Sequence, residues 1–281
     1  MMVDALGFLA ALISVLGWGS HLVPMKKLQN YDTFYYQALM ATGILLSSLA
    51  VVLVAGEFRL SLLGLLCGFL WKIGNAISLV AVKKDGISMA VPVWTSTSIL
   101  SSFLWGLFFF KENLSNLLFA VLGISLLIVG ANVVSLTGSN REKNRTGVLL
   151  ALPAGVFFGS YLVPMKISGL EPNQFLFSMA LGIFVTGWGF FLAKGAKLNR
   201  SAVVSGLSSG VLWNVANFSS LYAVALLGLS IGLPFMQNSL LVAVLWGLFY
   251  FKEVNERRGK AQVMVGALVM IVGTFLLGFS K

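Results

Sequence analysis

Two tryptophan-flanked polar groups lie in the middle of long apolar stretches of the chain. The first contains Trp71, Lys72 and Asn75 within an apolar run over residues 61–82. Lys72 is about eleven residues from either end of this run, roughly 16 Å along a helix, which is the centre of a hydrocarbon layer about 30 Å thick. An ionisable side chain at that depth is a functional-site hypothesis by default. We therefore predict that Lys72 faces protein or water at a binding site.

The second group repeats the first with an asparagine in place of the lysine. Trp213, Asn214 and Asn217 have the same spacing and also lie at the centre of an apolar run. Asparagine offers two donors and one acceptor, which suits hydroxyl or amide groups. Tryptophan offers a flat apolar face on which a sugar ring or an organic cation could stack. Both groups therefore predict a substrate site, and the alternative is that the asparagines only hydrogen-bond neighbouring helices.

Two other apolar segments combine a proline with polar residues. Pro92 precedes Trp94 and a run of Ser and Thr, and Pro234 precedes Gln237 and Asn238. Proline inside a helix frees a backbone carbonyl, which membrane helices tolerate where another group or cavity water satisfies it. We expect Trp94, Gln237 and Asn238 to line the substrate pathway and the prolines to act as hinges. The alternative is an ordinary packing kink.

His21 is the only histidine, and Tyr161 occupies the corresponding position in the second half of the chain. Histidine titrates near neutral pH and could carry a coupling proton. The tyrosine shows that the position requires only a polar aromatic side chain. We treat His21 and Tyr161 as candidate coupling or gating residues, with interfacial packing as the alternative.

The composition predicts that these residues lie in membrane-spanning helices. The chain has 58% hydrophobic and 10% charged residues and a mean hydropathy of +0.93, whereas soluble domains have roughly 45–50% apolar and about 25% charged residues. Ten apolar segments approach the ~20 residues that a spanning helix needs. They predict an all-α integral membrane protein with ten transmembrane helices over residues 5–23, 33–55, 61–82, 87–109, 114–136, 147–165, 173–193, 201–224, 229–250 and 261–279.

Internal similarity divides these helices into two sets of five. Residues 19–26 recur at 159–166, and the run that begins at Trp105 recurs at Trp246, with an offset near 140 throughout. An odd number of helices in each copy requires the second copy to enter the membrane from the opposite side. The domains are predicted as a first repeat over 1–136, a connecting loop over 137–146 and an inverted repeat over 147–281. An inverted repeat with polar residues at the midplane of both copies is typical of a secondary transporter.

Loop charges predict the orientation of the helices. Fourteen of the 19 Lys and Arg residues fall on one side of the membrane, which we call side B, and four fall on side A, which bears both termini. The positive-inside rule places side B in the cytoplasm and both termini outside. We therefore expect a multi-pass protein of a bacterial or archaeal cytoplasmic membrane. The net charge of +10 reflects this topology and predicts no nucleic-acid partner.

The sequence offers no chemistry for catalysis. It contains no phosphate-binding loop, paired-acid site, histidine cluster or cysteine nucleophile, so we expect no enzymatic activity, no cofactor and no metal. All nine carboxylates lie at or near predicted helix ends or in loops. A proton-coupled exporter of cations usually has one at mid-membrane, and the lysine at position 72 further disfavours a cationic substrate.

The motifs at 19–27 and 71–75 resemble the sugar-transporting branch of the drug/metabolite transporter superfamily, which includes glucose/ribose porters and the rhamnose–proton symporter. The resemblance covers essentially the whole chain and implies uptake of a monosaccharide, often with a proton or sodium ion. Lys72 departs from the pattern, because an uncharged residue is expected there in a rhamnose-type porter. That departure leaves an anionic solute open.

We therefore expect a secondary transporter that moves a sugar or similar small polar solute by alternating access, embedded in membrane lipid. Coupling to protons, coupling to sodium and uncoupled transport all remain open. The alternatives are an exporter of amino acids, other metabolites or drugs from the same superfamily, a transporter of an anionic solute, and a non-transporting membrane scaffold.

Overall fold

A computed structural model describes residues 2–28, 31–85, 87–135, 145–195, 197–251 and 257–281. Every regular element within these ranges is helical, and nine of the described segments are long and apolar enough to cross a membrane. The predicted all-helical class is confirmed. The helices are α1 (Met2–Ser20), α2 (Val23–Lys26), α3 (Thr33–Ala55), α4 (Leu62–Asp85), α5 (Ile87–Leu104), α6 (Leu117–Ser135), α7 (Arg145–Ser160), α8 (Val163–Ser168), α9 (Pro172–Lys194), α10 (Ala202–Leu227), α11 (Leu229–Met236), α12 (Ser239–Leu245) and α13 (Arg257–Gly278).

The first and sixth predicted segments are each broken at the same place in the repeated motif. After Ser20 the chain turns and restarts as the short α2, and after Ser160 it turns and restarts as α8. Pro24 and Pro164 lie in the first turn of the two short helices, where a missing N–H costs nothing because that position has no intrahelical acceptor. The sequence repeat therefore encodes a repeated break in the helix.

The fourth and ninth predicted segments both end in a π-helical turn. Residues Trp105–Phe109 continue α5, and Trp246–Tyr250 continue α12. The Trp105 indole N–H donates to Ser160 Oγ at 2.8 Å, and the Trp246 indole N–H donates to Ser20 Oγ at 2.9 Å. Hydropathy did not predict these turns, because a wider helical turn leaves the apolar pattern of the segment unchanged.

Glycines set the closest approaches between the central helices. A Cβ on Gly68 of α4 would lie 2.2 Å from Met179 O of α9, and a Cβ on Gly210 of α10 would lie 2.1 Å from Met40 O of α3. Small residues allow helix backbones to approach closely in lipid. The two contacts are equivalent in the two halves of the sequence, and they bring the centres of α3, α4, α9 and α10 together.

One end of the bundle is fastened by Glu112, which follows the π-helical turn after α5. Its carboxylate accepts from the backbone N–H of Leu229 at 2.8 Å and of Ser230 at 2.9 Å, and from the Ser230 hydroxyl. It also forms an ion pair with Lys166 of α8. Burial raises the pKa of Glu112, but these hydrogen bonds outweigh it and hold the pKa below its usual value near 4.5. Glu112 thus joins the first half of the chain to two elements of the second.

Replacement of this carboxylate is expected to destabilise the bundle. Glu112→Gln would weaken hydrogen bonds made to a charged acceptor and leave Lys166 without its ion pair, a cost of about 1.5–3 kcal/mol. Because the pKa of Glu112 is lowered in the folded state, its contribution is fully present above pH 4.5 and is lost as the pH falls through the lowered value. Thermal unfolding of the purified protein at pH 7 and near pH 3 measures both effects.

The matched control is Glu57→Gln, because Glu57 is exposed and accepts from Asn173 at 2.8 Å. Such a surface change alters stability by no more than about 0.5 kcal/mol. Equal unfolding midpoints for the two variants at pH 7 would show that Glu112 does not fasten the helices.

Candidate functional site

A small cavity of about 110 Å³ lies between the two halves of the bundle. Its walls are mostly aromatic and come from α1, α4, α5, α7, α10 and α11 and from the turns that follow α7 and α11. Its polar groups are an amide, two hydroxyls and the indole N–H groups, so the lining carries no formal charge. The lining residues are Trp18, Trp71, Trp94, Ser98, Phe158, Tyr161, Trp213, Leu233 and Gln237.

Trp71 and Trp213 form the centre of this cavity. Their ring centroids are 4.4 Å apart, with the planes tilted by 49°, and both side chains are buried. Each lies three residues beyond the glycine at which its helix approaches a neighbour most closely, Gly68 on α4 and Gly210 on α10. Trp71 and Trp213, predicted from the sequence to form a substrate site, line the same cavity, and their role in binding stays a prediction.

The ninth segment contributes Gln237 at a break in the helix. The helix α11 contains Pro234 and ends at Met236, and Gln237 lies in the turn before α12. Its amide donates to the buried Ser98 Oγ of α5 at 3.0 Å. Pro92 lies within α5, which continues unbroken to Leu104. The two prolines thus have different surroundings, and only the second precedes a helix break.

Trp18 and Phe158 are cavity residues that the sequence reasoning missed. They occupy equivalent positions in α1 and α7, two residues before the last residue of each helix. The signal was present, because both precede the repeated motif at 19–26 and 159–166 by one residue. This signal does not decide the placement, because a large aromatic residue in an apolar segment is equally compatible with a lipid-facing position.

A second cavity of about 420 Å³ adjoins the first, and we call it the vestibule. Trp18, Trp94 and Gln237 line both cavities. The vestibule also reaches Lys26 and Phe251, which belong to the predicted side B, where the Lys26 Nζ lies 4.9 Å from the Phe251 ring centroid. The central cavity therefore has an approach from the end of the bundle opposite Glu112.

Lys72 is placed differently from its neighbour Trp71. It is 2% exposed, and its Nζ donates to Gln37 Oε1 at 2.9 Å and to Gln37 O at 3.2 Å. A Cβ on Gly187 of α9 would lie 3.1 Å from Lys72 Cε. Lys72 thus lies between α3 and α9 and does not contribute to the lining of the central cavity. A substrate contact by Lys72 stays a prediction.

The three predicted asparagines, Asn75, Asn214 and Asn217, are not among the residues that line the central cavity. Asn214 donates to Ser47 Oγ at 3.0 Å and accepts from Ser48 Oγ at 3.1 Å, which ties α10 to α3. The Oδ1 atoms of Asn75 and Asn217 are buried and have no protein hydrogen-bond partner. The contacts of Asn214 are those of an interhelical link, whereas Asn75 and Asn217 retain an unused acceptor one helical turn from Trp71 and Trp213.

The remaining predicted residues lie at different places. Tyr161 lines the central cavity. His21 is turned back on its own helix, with its Nδ1 2.6 Å from Trp18 O. Asn238 donates to Thr274 Oγ1 of α13 at 2.8 Å and borders an apolar groove between α1 and α13. The structure therefore groups Tyr161 with the tryptophans and separates His21 and Asn238 from them.

A model of the sugar transport protein family matches residues 9–280 of the chain. The chain belongs to the sugar transport protein family. Members of this family are transporters and not enzymes, and the protein is accordingly a multi-pass membrane protein of a sugar-transport family. Within the described part of the chain, no group of three or more His, Cys, Asp or Glu residues is arranged to hold a metal ion.

Curated relatives cover nearly the full length of the chain. The probable glucose uptake protein GlcU of Staphylococcus aureus (strain MRSA252) is 24% identical over 98% of this chain and 99% of its own length. The glucose uptake protein GlcU of Bacillus subtilis (strain 168) is 24% identical over 97% of this chain and 98% of its own. A solved crystal structure with 13% sequence identity superposes with a TM-score of 0.81, covering 96% of this chain and 95% of the other. The last comparison concerns the fold alone.

The contact between Lys72 and Gln37 predicts an asymmetry between single and double variants. Gln37→Leu removes the closest acceptor of a buried lysine and is expected to cost about 1.5–3 kcal/mol, because hydrogen bonds to charged groups contribute that much. Adding Lys72→Met removes the polar group that needed the acceptor and should restore stability to at least the wild-type value, since apolar replacement of buried polar pairs is often neutral or stabilising.

Thermal unfolding in detergent measures this difference, with Gln174→Leu as a control on a glutamine outside the buried contact. A double variant less stable than Gln37→Leu would show that Lys72 stabilises the bundle through other contacts.

Proposed function

We propose that the protein takes up a neutral monosaccharide of the glucose class through the central cavity, which Trp71 and Trp213 line. The observation that carries this proposal is the aromatic pair in the lining of the central cavity, with neutral hydrogen-bonding groups around it. Aromatic faces pack against the C–H faces of a pyranose ring, while amide, hydroxyl and indole groups match its hydroxyls. The glucose uptake proteins among the relatives support the same substrate class.

A neutral solute fits this cavity better than an anion. The anionic alternative rested on Lys72, whose Nζ donates to Gln37 and which is not among the residues that line the cavity. Organic cations remain disfavoured, because the lining of the cavity contains no carboxylate. The exporter alternative has no specific observation in its favour.

The transport mechanism in this proposal is alternating access between two inverted repeats, as in the drug/metabolite transporter superfamily. Equivalent contacts support the repeat: α4 meets α9 at Gly68 as α10 meets α3 at Gly210, and Trp105 binds Ser160 as Trp246 binds Ser20. Helices of two such copies can rock about a site at their interface.

In this proposal, the central cavity is open toward side B. The vestibule leads from Lys26 to the central cavity, and Glu112 with Lys166 and Ser230 closes the opposite end. Rocking would break the contacts of Glu112 and close the vestibule around Phe251. With the cytoplasm on side B, as the loop charges predict, this is an inward-facing state that releases sugar into the cell.

Counterflow in proteoliposomes tests the proposal. Vesicles preloaded with unlabelled glucose should accumulate labelled glucose, and preloading with amino acids, organic acids or organic cations should give no accumulation. Imposed proton and sodium gradients then distinguish coupled from uncoupled uptake. Counterflow with one of the other solute classes and none with any sugar would contradict the proposal.

The central tryptophans are expected to be required for that transport. Trp71→Ala removes one of the two aromatic faces and should lower the initial counterflow rate about five- to a hundredfold, if a sugar ring packs on tryptophan as strongly as a base stacks on an aromatic side chain, about 1–3 kcal/mol. Phe69→Ala is the control, because Phe69 lies on the same helix and is 46% exposed on the outer surface of the bundle. Equal rates for the two variants, at equal amounts of folded protein, would show that sugar does not pass against Trp71 in the central cavity.

A further inference from the structure

Trp18 has a buried hydrogen-bond donor without a protein acceptor. Its Nε1 is enclosed and makes no hydrogen bond to the chain. An indole nitrogen is a donor only, so it can be satisfied only by an acceptor. A buried donor left unpaired is costly and calls for an explanation in a native structure. Because Trp18 lines both the central cavity and the vestibule, a solute in the pathway passes this side chain.

Three other tryptophans of the protein donate their indole N–H to the same kind of acceptor. Trp105 donates to Ser160 Oγ at 2.8 Å, Trp246 donates to Ser20 Oγ at 2.9 Å, and Trp188 donates to Thr42 Oγ1 at 3.0 Å. All three acceptors are hydroxyl oxygens. A sugar presents the same chemical group.

The position of Trp18 is fixed by close packing on both sides of it in the sequence. A Cβ on Gly17 would lie 2.6 Å from Ala216 Cβ of α10, and a Cβ on Gly19 would lie 2.4 Å from Val242 Cβ of α12. The Trp18 carbonyl is also 2.6 Å from His21 Nδ1. A donor held on a fixed backbone loses less conformational entropy when it binds a ligand.

We infer that Trp18 is a specificity-determining residue whose indole N–H, enclosed in this structure, turns into the adjoining cavity and donates to one hydroxyl oxygen of the bound sugar. The inference rests on the proposed function and adds a defined contact to it. The equivalent residue of the second half, Phe158, lines the same cavity without a donor. Of these two equivalent positions only Trp18 can donate, which distinguishes orientations of the ring that the equivalent Trp71 and Trp213 alone would not distinguish.

The test is the equilibrium binding of glucose and its monodeoxy analogues to purified wild-type protein and to Trp18→Phe, measured by calorimetry. Trp18→Phe keeps an aromatic ring, as Phe158 does, and removes the donor. It should weaken glucose binding about five- to a hundredfold. One monodeoxy analogue should bind the wild type more weakly by a similar factor and bind Trp18→Phe no more weakly than glucose does.

Trp188→Phe is the matched control, because it makes the same chemical change at an indole bound to Thr42 outside the cavity. It should bind every analogue as the wild type does. If Trp18→Phe reduces the folded yield, Trp18→Leu also lacks the donor and gives the same comparison.

Failure of the proposed function and failure of the role of Trp18 give different results. A wild type that binds no sugar would overturn the proposed function. A wild type that binds glucose, together with a Trp18→Phe that binds it equally well or loses the same factor for every analogue, would overturn only the role of Trp18.

Discussion

Hydrocarbon offers no hydrogen-bond partner, and this constraint governs where every polar side chain of the bundle lies. Lys72 binds Gln37, Asn214 binds two serines of α3, and Glu112 binds backbone N–H groups at the start of α11. These groups are satisfied within the protein and hold helices together. The polar atoms without protein partners are more informative, because burying them is costly. Those of Trp18, Asn75 and Asn217 lie at or within one turn of the residues that line the central cavity.

The satisfied contacts of Lys72, Asn214 and Glu112 lie outside the lining of the central cavity, whereas Trp18 lines it and has an unpaired donor. The close approaches at Gly68 and Gly210 place Trp71 and Trp213 against each other, and the lysine and asparagine beside them are directed outward to α3. Lys72 does not line the central cavity. Its Nζ donates to the Gln37 amide oxygen and lies 5.6 Å from the centre of the Trp71 ring. A cavity of neutral groups results, which suits the sugar-transport family to which the chain belongs.

Much of this arrangement could be predicted from the sequence because apolar length and repeated motifs are local properties. Each of the ten predicted segments coincides with a helix or with a broken pair of helices. Trp71, Trp94, Trp213 and Gln237, predicted to bind substrate, line one cavity together with Tyr161, predicted as a coupling or gating residue, and these roles stay predictions. The direction of Lys72 could not be predicted. Two residues adjacent in a helix face directions about 100° apart, and which of them faces the cavity depends on how α3 and α9 pack. The π-helical turns and the role of Glu112 also depend on contacts between distant segments. The pairing of Lys252 and Glu253, the counterparts of Lys111 and Glu112, falls outside the described residues.

The proposed function places the sugar against Trp71 and Trp213 and away from Lys72. A crystal or cryo-electron microscopy structure of the purified protein in saturating glucose tests this placement. We expect ring density in the central cavity, against the two tryptophans, with one oxygen within hydrogen-bond distance of Trp18 Nε1. Sugar density in contact with Lys72 or Gln37, or only in the apolar groove between α1 and α13, would contradict it.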